Sequence, residues 1–292
     1  VSLAGFQAFL FDLDGCVYLD ETLIEGADRF IATLRARGHR VFFLTNNSAM
    51  SAQEVAGRLT RLGIPTPPTQ VMTATDATAT YLHETLGPSR VLVLGARSLA
   101  EGLAAQGHTV LPMREYRQAQ AVVVGRDLDL TYERLTQAAR AVDAGALFVG
   151  CNLDRKYPIP EADGGFIPGA AAIVEAVAAC VQQRPVIIGK PSPLMFRLAL
   201  ARLGCAPAEA AMVGDSPATD IAGGRAAGLF TVLYARTPPG PFAPEEEPHL
   251  IVRSFAEALA LLGEPAASPE AAGPRGAVQP ARPAASGTCA PA

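Results

Sequence analysis

The sequence predicts an α/β protein with a doubly wound, parallel-sheet core and a second α/β unit inserted into it. Three observations carry that prediction. Short, largely apolar runs of three or four residues recur along the chain with helical segments between most of them, which is the pattern of parallel strands covered on both faces. Four of these runs end abruptly in polar residues, and in open α/β sheets ligands sit outside the carboxyl ends of the strands. Finally, 145 residues separate Thr45 from Lys190, two of those polar ends, far more than one crossover connection needs.

The elements follow in order. The run 8–11 is a buried strand that stops at Asp12. A helix is expected over 26–37, closed by Gly38 as a C-terminal signal. Residues 41–44 form the next strand and end at Thr45-Asn46-Asn47; Ser51 then caps a helix that runs to about Leu62. Further strands are read over 91–94, 121–124, 147–149, 186–188, 211–213 and 230–233. The core is thereby assigned to 1–75 plus 186–263 and the inserted α/β domain to 76–185. From 264 to 292 there are ten Ala and six Pro in 29 residues, with one Val as the only bulky apolar side chain. Such a segment cannot bury enough surface to offset its ordering entropy and reads as a disordered tail.

Composition narrows the function. A chain of 292 residues, 49% apolar and 18% charged, can build one large or two modest domains without disulfide or metal staples. Its most apolar helical stretch, 170–181, is interrupted by Glu175, and no apolar run reaches the roughly 18 residues of a membrane span. With 24 basic against 28 acidic side chains the net charge is −4, which argues against nonspecific nucleic-acid binding; any phosphate must be met by a local site. The five cysteines are odd in number, scattered and free of CxxC pairs, and the first residues lack a secretory pattern. Free thiols in a reducing cytoplasm are expected. The four scattered histidines argue against zinc.

The four polar strand ends carry the chemistry. The first, Asp12-Leu13-Asp14-Gly15, places two carboxylates behind a buried strand, where they repel each other unless a cation or protons compensate. The second offers the Thr45 hydroxyl, the Asn46 and Asn47 amides and backbone N–H groups suited to an anion. The third, Gly189-Lys190-Pro191-Ser192, lacks the glycine spacing and the following Ser or Thr of a P-loop, leaving a lone lysine. The fourth, Gly214-Asp215-Ser216-Pro217-Ala218-Thr219-Asp220, is a second acidic pair, with Pro217 suited to open a helix. Each taken alone fits a turn, a cap or a solvated side chain. Together they assemble a nucleophile, phosphate donors, a cation and metal ligands.

In these motifs (DLDGCV at 12–17, TNNS at 45–48, GKPS at 189–192 and GDSPATDI at 214–221) the chain resembles the haloacid dehalogenase (HAD) phosphatases, and within them the class IIA, NagD-like and 4-nitrophenylphosphatase-like branch. The resemblance runs from about Phe6 to Leu262. It implies a Rossmann-like core with a class II cap and Mg²⁺-dependent hydrolysis of a small-molecule phosphate monoester, such as a sugar phosphate or nucleotide, through an aspartyl-phosphate. It implies Asp12 as nucleophile, Asp14 as general acid and base, and Thr45, Asn46, Asn47 and Lys190 around the phosphate. Asp12, the Asp14 carbonyl and Asp215 would hold Mg²⁺, with Asp220 behind them orienting Lys190 or the metal. On the cap, Asn152 and Asp154 match the family's substrate loop, and cap-mediated homodimers are what its relatives commonly form. Arg155 and Lys156 read more simply as a solvated surface pair. The alternatives are a receiver-like phospho-acceptor, which has no use for an inserted domain, and a non-catalytic phospho-ligand-binding module, which has no use for the intact set of acids.

Overall fold

The computed structural model describes residues 2–158 and 165–263, so the Ala/Pro-rich tail lies outside the described residues. The chain opens with β1 (Ala8–Phe11), all four of whose side chains are buried, followed by a small antiparallel hairpin of β2 (Tyr18–Leu19) and β3 (Thr22–Leu23). Next come α1 (Ala27–Ala36), β4 (Arg40–Thr45) and α2 (Ala52–Arg61). Ser51 begins α2 with a reciprocal cap, its hydroxyl accepting from the Glu54 N–H while the Glu54 carboxylate accepts from the Ser51 N–H. β5 (Val71–Thr73) and α3 (Ala74–Leu86) complete this part.

A second series then begins: β6 (Arg90–Leu94), α4 (Arg97–Ala105), β7 (Thr109–Leu111), β8 (Ala121–Val124), α5 (Tyr132–Asp143) and β9 (Leu147–Gly150). It continues through the antiparallel pair β10 (Lys156–Pro158) and β11 (Phe166–Pro168), α6 (Ala170–Ala178) and β12 (Val186–Ile187). The chain returns with α7 (Pro193–Leu203), β13 (Ala210–Gly214), a π-helical turn over Pro217–Ile221 leading into α8 (Ala222–Ala226), β14 (Phe230–Tyr234), β15 (Leu250–Val252) and α9 (Phe255–Ala260).

Two parallel sheets result, a six-stranded one ordered β15-β14-β13-β1-β4-β5 and a five-stranded one ordered β12-β9-β8-β6-β7. This is the expected α/β core with an inserted α/β cap. In the core sheet the order reverses at β1, with β4 and β13 on its two sides, so their carboxyl ends meet at a topological switch point. Alternation along β1 feeds both faces: Phe9 and Phe11 enter an aromatic-rich cluster with Phe30, Phe43 and Phe255, while Ala8 and Leu10 enter a second cluster. That second cluster also contains Val91, Val93, Val149 and Ile188, so packed apolar side chains join the two sheets directly.

One boundary differs from the sequence reading. Val186 and Ile187, assigned to the core, instead pair in parallel with Val149 and Gly150 in the cap sheet. The pairing continues past the strand, with the Ile188 N–H donating to Gly150 O and the Gly189 N–H to Cys151 O (2.7 Å). The chain therefore leaves the cap through β12, beside β9, and the lysine arrives at the core from the cap side. Among the described residues, no helix is long and apolar enough to cross a membrane.

Candidate active site

Asp12 follows β1, Thr45 ends β4 and Asp215 follows β13, so three adjacent strand ends deliver three of the expected groups to one place. They line a cleft of about 460 Å³ together with Asp14, Asn46, Asn47, Lys190 and Asp220, and the cap contributes Asn152 and Asp154. Every residue expected from the sequence to form the site thus borders one cavity, although the residues differ in what their side chains are free to do.

At the floor lies a buried ionic group. Lys190, 3% exposed, donates from Nζ to Asp12 Oδ1 and to Asp220 Oδ1 (2.7 Å). Carboxylate oxygens of Asp12, Asp215 and Asp220 lie within 4.8 Å of one another. Three carboxylates against one ammonium leave two negative charges uncompensated. Burial and the neighbouring Asp220 push Asp12 well above the ordinary carboxylate range, outweighing Lys190, and for similar reasons Asp215 is pushed up to about 6. Burial draws the Lys190 ammonium the other way, but Asp12 and Asp220 hold it charged, raising it above its ordinary value. A hard divalent cation with oxygen ligands fits this donor set and this deficit; Asp220, already bonded to Lys190 and to the Ser216 N–H (3.1 Å), is the most committed of the three.

Backbone proximity dictates the small residues here. Gly15 has φ of +91° and a Cβ on it would fall on the Asp215 carboxylate, so only glycine lets the two acidic loops close together. A Cβ on Gly214 would likewise fall on the Asp220 side chain. Asp14 opens to the cleft outside the carboxylate cluster; the surrounding protein raises its carboxyl against the opposing charges of Arg58 and Lys190. Arg58 also lies over the Tyr18 ring, 4.3 Å from its centroid, and donates to the Asp20 carbonyl, which fixes the β2–β3 hairpin beside Asp14.

The amides behave differently from the acids. Thr45 Oγ1 accepts from the Asn47 N–H (3.1 Å), and Asn47 Oδ1 accepts from the Ala49 N–H (2.7 Å), which shapes a turn. Asn46 is a joint: its Oδ1 accepts from the Lys190 N–H (2.8 Å), and its Nδ2 donates to Lys190 O and to Asp154 Oδ1 (3.0 Å each). Asn152, 4% exposed, donates from Nδ2 to Asn46 O (2.7 Å) and accepts the Asp154 N–H on Oδ1 (3.2 Å). Each end of the Asn152 amide thus has a partner within the protein, at a place in the cleft wall where the sequence reading expects substrate contact.

Sequence reasoning missed several wall residues. Leu19 and Asp20 of the hairpin, Ser216 and Thr219 after β13, and Arg126 and Tyr157 of the cap all line the cleft. Lys156 lines it too, although its neighbour Arg155 does not. The strand before Gly125-Arg126 was legible, and its carboxyl end was the available signal for Arg126.

With this geometry in place, comparison with known proteins places the chain. A family model described as haloacid dehalogenase-like hydrolase matches residues 9–109, and a second, HAD-hydrolase-like, matches 187–258. The acid sugar phosphatase of Staphylococcus saprophyticus is 36% identical over 222 residues, spanning 76% of this chain and 83% of that protein. The chain belongs to the haloacid dehalogenase-like hydrolases. Within them it falls with the class IIA phosphatases. The crystal structure of a 4-nitrophenylphosphatase from Thermotoga maritima, 30% identical, superposes with a TM-score of 0.78 over 89% of this chain and 98% of that one. A glycerol phosphate phosphatase from Mycobacterium tuberculosis, solved in complex with magnesium, is 32% identical with a TM-score of 0.77 over 88% of this chain and 78% of that one.

Proposed function

We propose that this HAD hydrolase cleaves small-molecule phosphate monoesters through an aspartyl-phosphate on Asp12, with Mg²⁺ as cofactor. The observation that carries the reading is the buried ionic group: a carboxylate held on one oxygen by an enclosed lysine, at the switch point of a parallel sheet, with two further carboxylates within 4.8 Å. Asp12, the Asp14 carbonyl and Asp215 would hold the ion, Asp220 standing behind. When bound, it supplies positive charge to the phosphoryl oxygens and to the carboxylates around them.

With Asp12 Oδ1 held by Lys190, Oδ2 is the oxygen left to attack phosphorus. The P–O bond to the leaving group breaks as the new one forms, and Asp14 delivers its proton to the departing oxygen. The raised carboxyl of Asp14 suits that role, since it keeps a proton available. Water then attacks the same phosphorus, Asp14 takes its proton, and the bond to Asp12 breaks to free phosphate. Lys190, the Thr45 hydroxyl and the backbone N–H of Asn46 hold the phosphoryl oxygens throughout, while the Asn47 N–H stays on Thr45 Oγ1, so most of the rate comes from positioning and fixed charge.

The cap, entered after β5 and left along β12, closes over the leaving group. Asp154 reaches the cleft from it, while Asn152 holds Asn46 and Asp154 in place. Phosphate release from 4-nitrophenyl phosphate, with Mg²⁺ and after chelation, is the direct test. Turnover that needs the metal supports the reading; no turnover with Mg²⁺ present, or turnover indifferent to chelation, overturns it.

A further inference from the structure

The two ends of the cleft differ in sign. On the core side stand Asp12, Asp14, Asp20, Asp215 and Asp220 with Lys190 as the cation among them. On the cap side stand Arg126 and Lys156, with Asp154 as the cap acid in the lining. Asp154 already accepts a hydrogen bond from Asn46.

Arg126 follows β8, at the carboxyl end of a central strand of the cap sheet, where an α/β sheet presents groups to a ligand. Its guanidinium carbon lies 3.8 Å from the centroid of the Tyr157 ring. Stacking of this kind holds a guanidinium in a fixed plane while leaving its edge donors free. Among the described residues Arg126 makes no hydrogen bond or ion pair, and its Nη1 is buried without a partner. The adjacent acid does not serve it: Asp127 pairs with Arg134 (2.6 Å) and accepts from the Asp129 N–H. Lys156 on β10 sits 4.2 Å from the centroid of Phe166 on β11, so both cleft cations of the cap are braced on aromatic rings of one hairpin. Phe166 is 53% and Tyr157 42% exposed, which leaves these faces open.

We infer that Arg126, braced by Tyr157 and assisted by Lys156, is a subsite for a second anionic group on the leaving portion of the substrate. The substrate is then a phosphate monoester whose alcohol carries a carboxylate or another phosphate. A planar guanidinium with free donors pairs two oxygens of such a group at once, whereas a neutral sugar hydroxyl satisfies one donor and leaves the charge unmet. Buried polar groups built for a partner penalise a ligand that lacks it. This inference rests on the phosphatase reading, and its test separates the two.

The probes are matched pairs: 3-phosphoglycerate against glycerol 3-phosphate, which exchange a carboxylate for a hydroxymethyl, and fructose 1,6-bisphosphate against fructose 6-phosphate for a second phosphate. The wild-type protein should favour the doubly anionic member of at least one pair in kcat/KM, by about 10-fold or more, and the pair that responds identifies the anion. Charge-assisted hydrogen bonds set that scale, and in Arg126→Gln the preference should shrink by about 10- to 100-fold. Arg126→Lys, which keeps the charge but not the fork, should retain part of it. A wild-type preference for the members that lack the second anionic group overturns the inference without any variant. So does an unchanged ratio in both variants. Release of nitrophenol from 4-nitrophenyl phosphate by the wild-type protein tests the phosphatase reading separately: if it occurs while the ratios stay flat, only the subsite falls.

Discussion

The carboxyl ends of the two sheets face the same cleft and are built on opposite principles. In the core the charges are buried and bonded to one another: Asp220 is fully buried, and Lys190 is held by two carboxylates. In the cap the cleft charges lean on exposed aromatic rings, and the neutral amide of Asn152 fastens the joint. Groups that form and break bonds need fixed charge in a low dielectric, which raises the stakes of each one. Groups that choose a leaving portion work at a rim where water still competes. Substitutions in the core should therefore move rate and stability together in large steps, sometimes with opposite signs. Those in the cap should move preference.

The largest effect is expected from Asp12→Asn. An amide cannot form the acyl-phosphate, so steady turnover of every ester should fall by on the order of 10⁴-fold or more. The carboxyl of Asp12 is raised well above its ordinary range, so in metal-free protein at neutral pH its charge weakens the fold. The variant should melt at the same temperature or higher in chelator while being inactive. Activity within 10-fold of wild type would remove Asp12 from the nucleophile's role.

Lys190→Met tests the other sign. It leaves the carboxylates without their ammonium, and breaking a buried pair by removing one partner costs about 3–5 kcal/mol. Loss of a charge on the transferring group should lower kcat by about 10²–10³-fold. Both losses should appear together, read by melting and by initial rates. A variant that keeps its melting temperature would show that Lys190 contributes to chemistry alone.

Asn46→Ala sits on the boundary between the two regions. It removes the acceptor for the Lys190 N–H and the donor to Asp154, leaving buried groups unpaired at a cost of about 1–3 kcal/mol. Because it loosens Lys190 and the cap loop at once, kcat and KM should both worsen, by about 10-fold each on that scale. A change in KM alone would mean that the joint serves the cap and leaves the lysine in place.

How much of this was legible follows from the same contrast. The core acids announced themselves because each stands directly behind an apolar strand, and such juxtapositions survive in the sequence. Of the unread edge strands, β5 and β7 each carry a threonine within three residues, whereas β15 (Leu250–Val252) is as apolar and as long as the runs at 147–149 and 211–213 and was legible on the same rule. The joint was opaque: Asn46 and Asp154 are 108 residues apart, and nothing local says that an amide following a strand will bind a second sheet. Arg126 carries no motif, and Lys156 could not be told from Arg155 because only the fold of β10 beside β11 decides which neighbour faces the cleft. The strand read over 186–188 is present as Val186–Ile187 but belongs to the cap sheet rather than the core, since pairing partners are set by long-range contacts.

Asp154→Asn is expected to have the smallest effect, and its sign decides on which side of the contrast Asp154 belongs. Its carboxylate accepts from Asn46 Nδ2 (3.0 Å), and burial raises its carboxyl despite that bond and the nearby Lys190 charge. A raised carboxyl binds its proton more tightly in the folded chain than in the unfolded one. The associated stability is therefore complete below the ordinary carboxylate value and declines as pH climbs through the raised one. An asparagine keeps the acceptor for Asn46 and has nothing to titrate. The difference in melting temperature, variant minus wild type, should accordingly grow more positive between pH 4.5 and 7.5. Taking the difference cancels the titration of Asp12 and Asp215, which both chains share. If instead the variant loses more stability at pH 7.5 than at 4.5, the charged form of Asp154 is the favoured one. Asp154 would then act as an ion partner like the core carboxylates, and the division between charged core and neutral joint would move one residue into the cap.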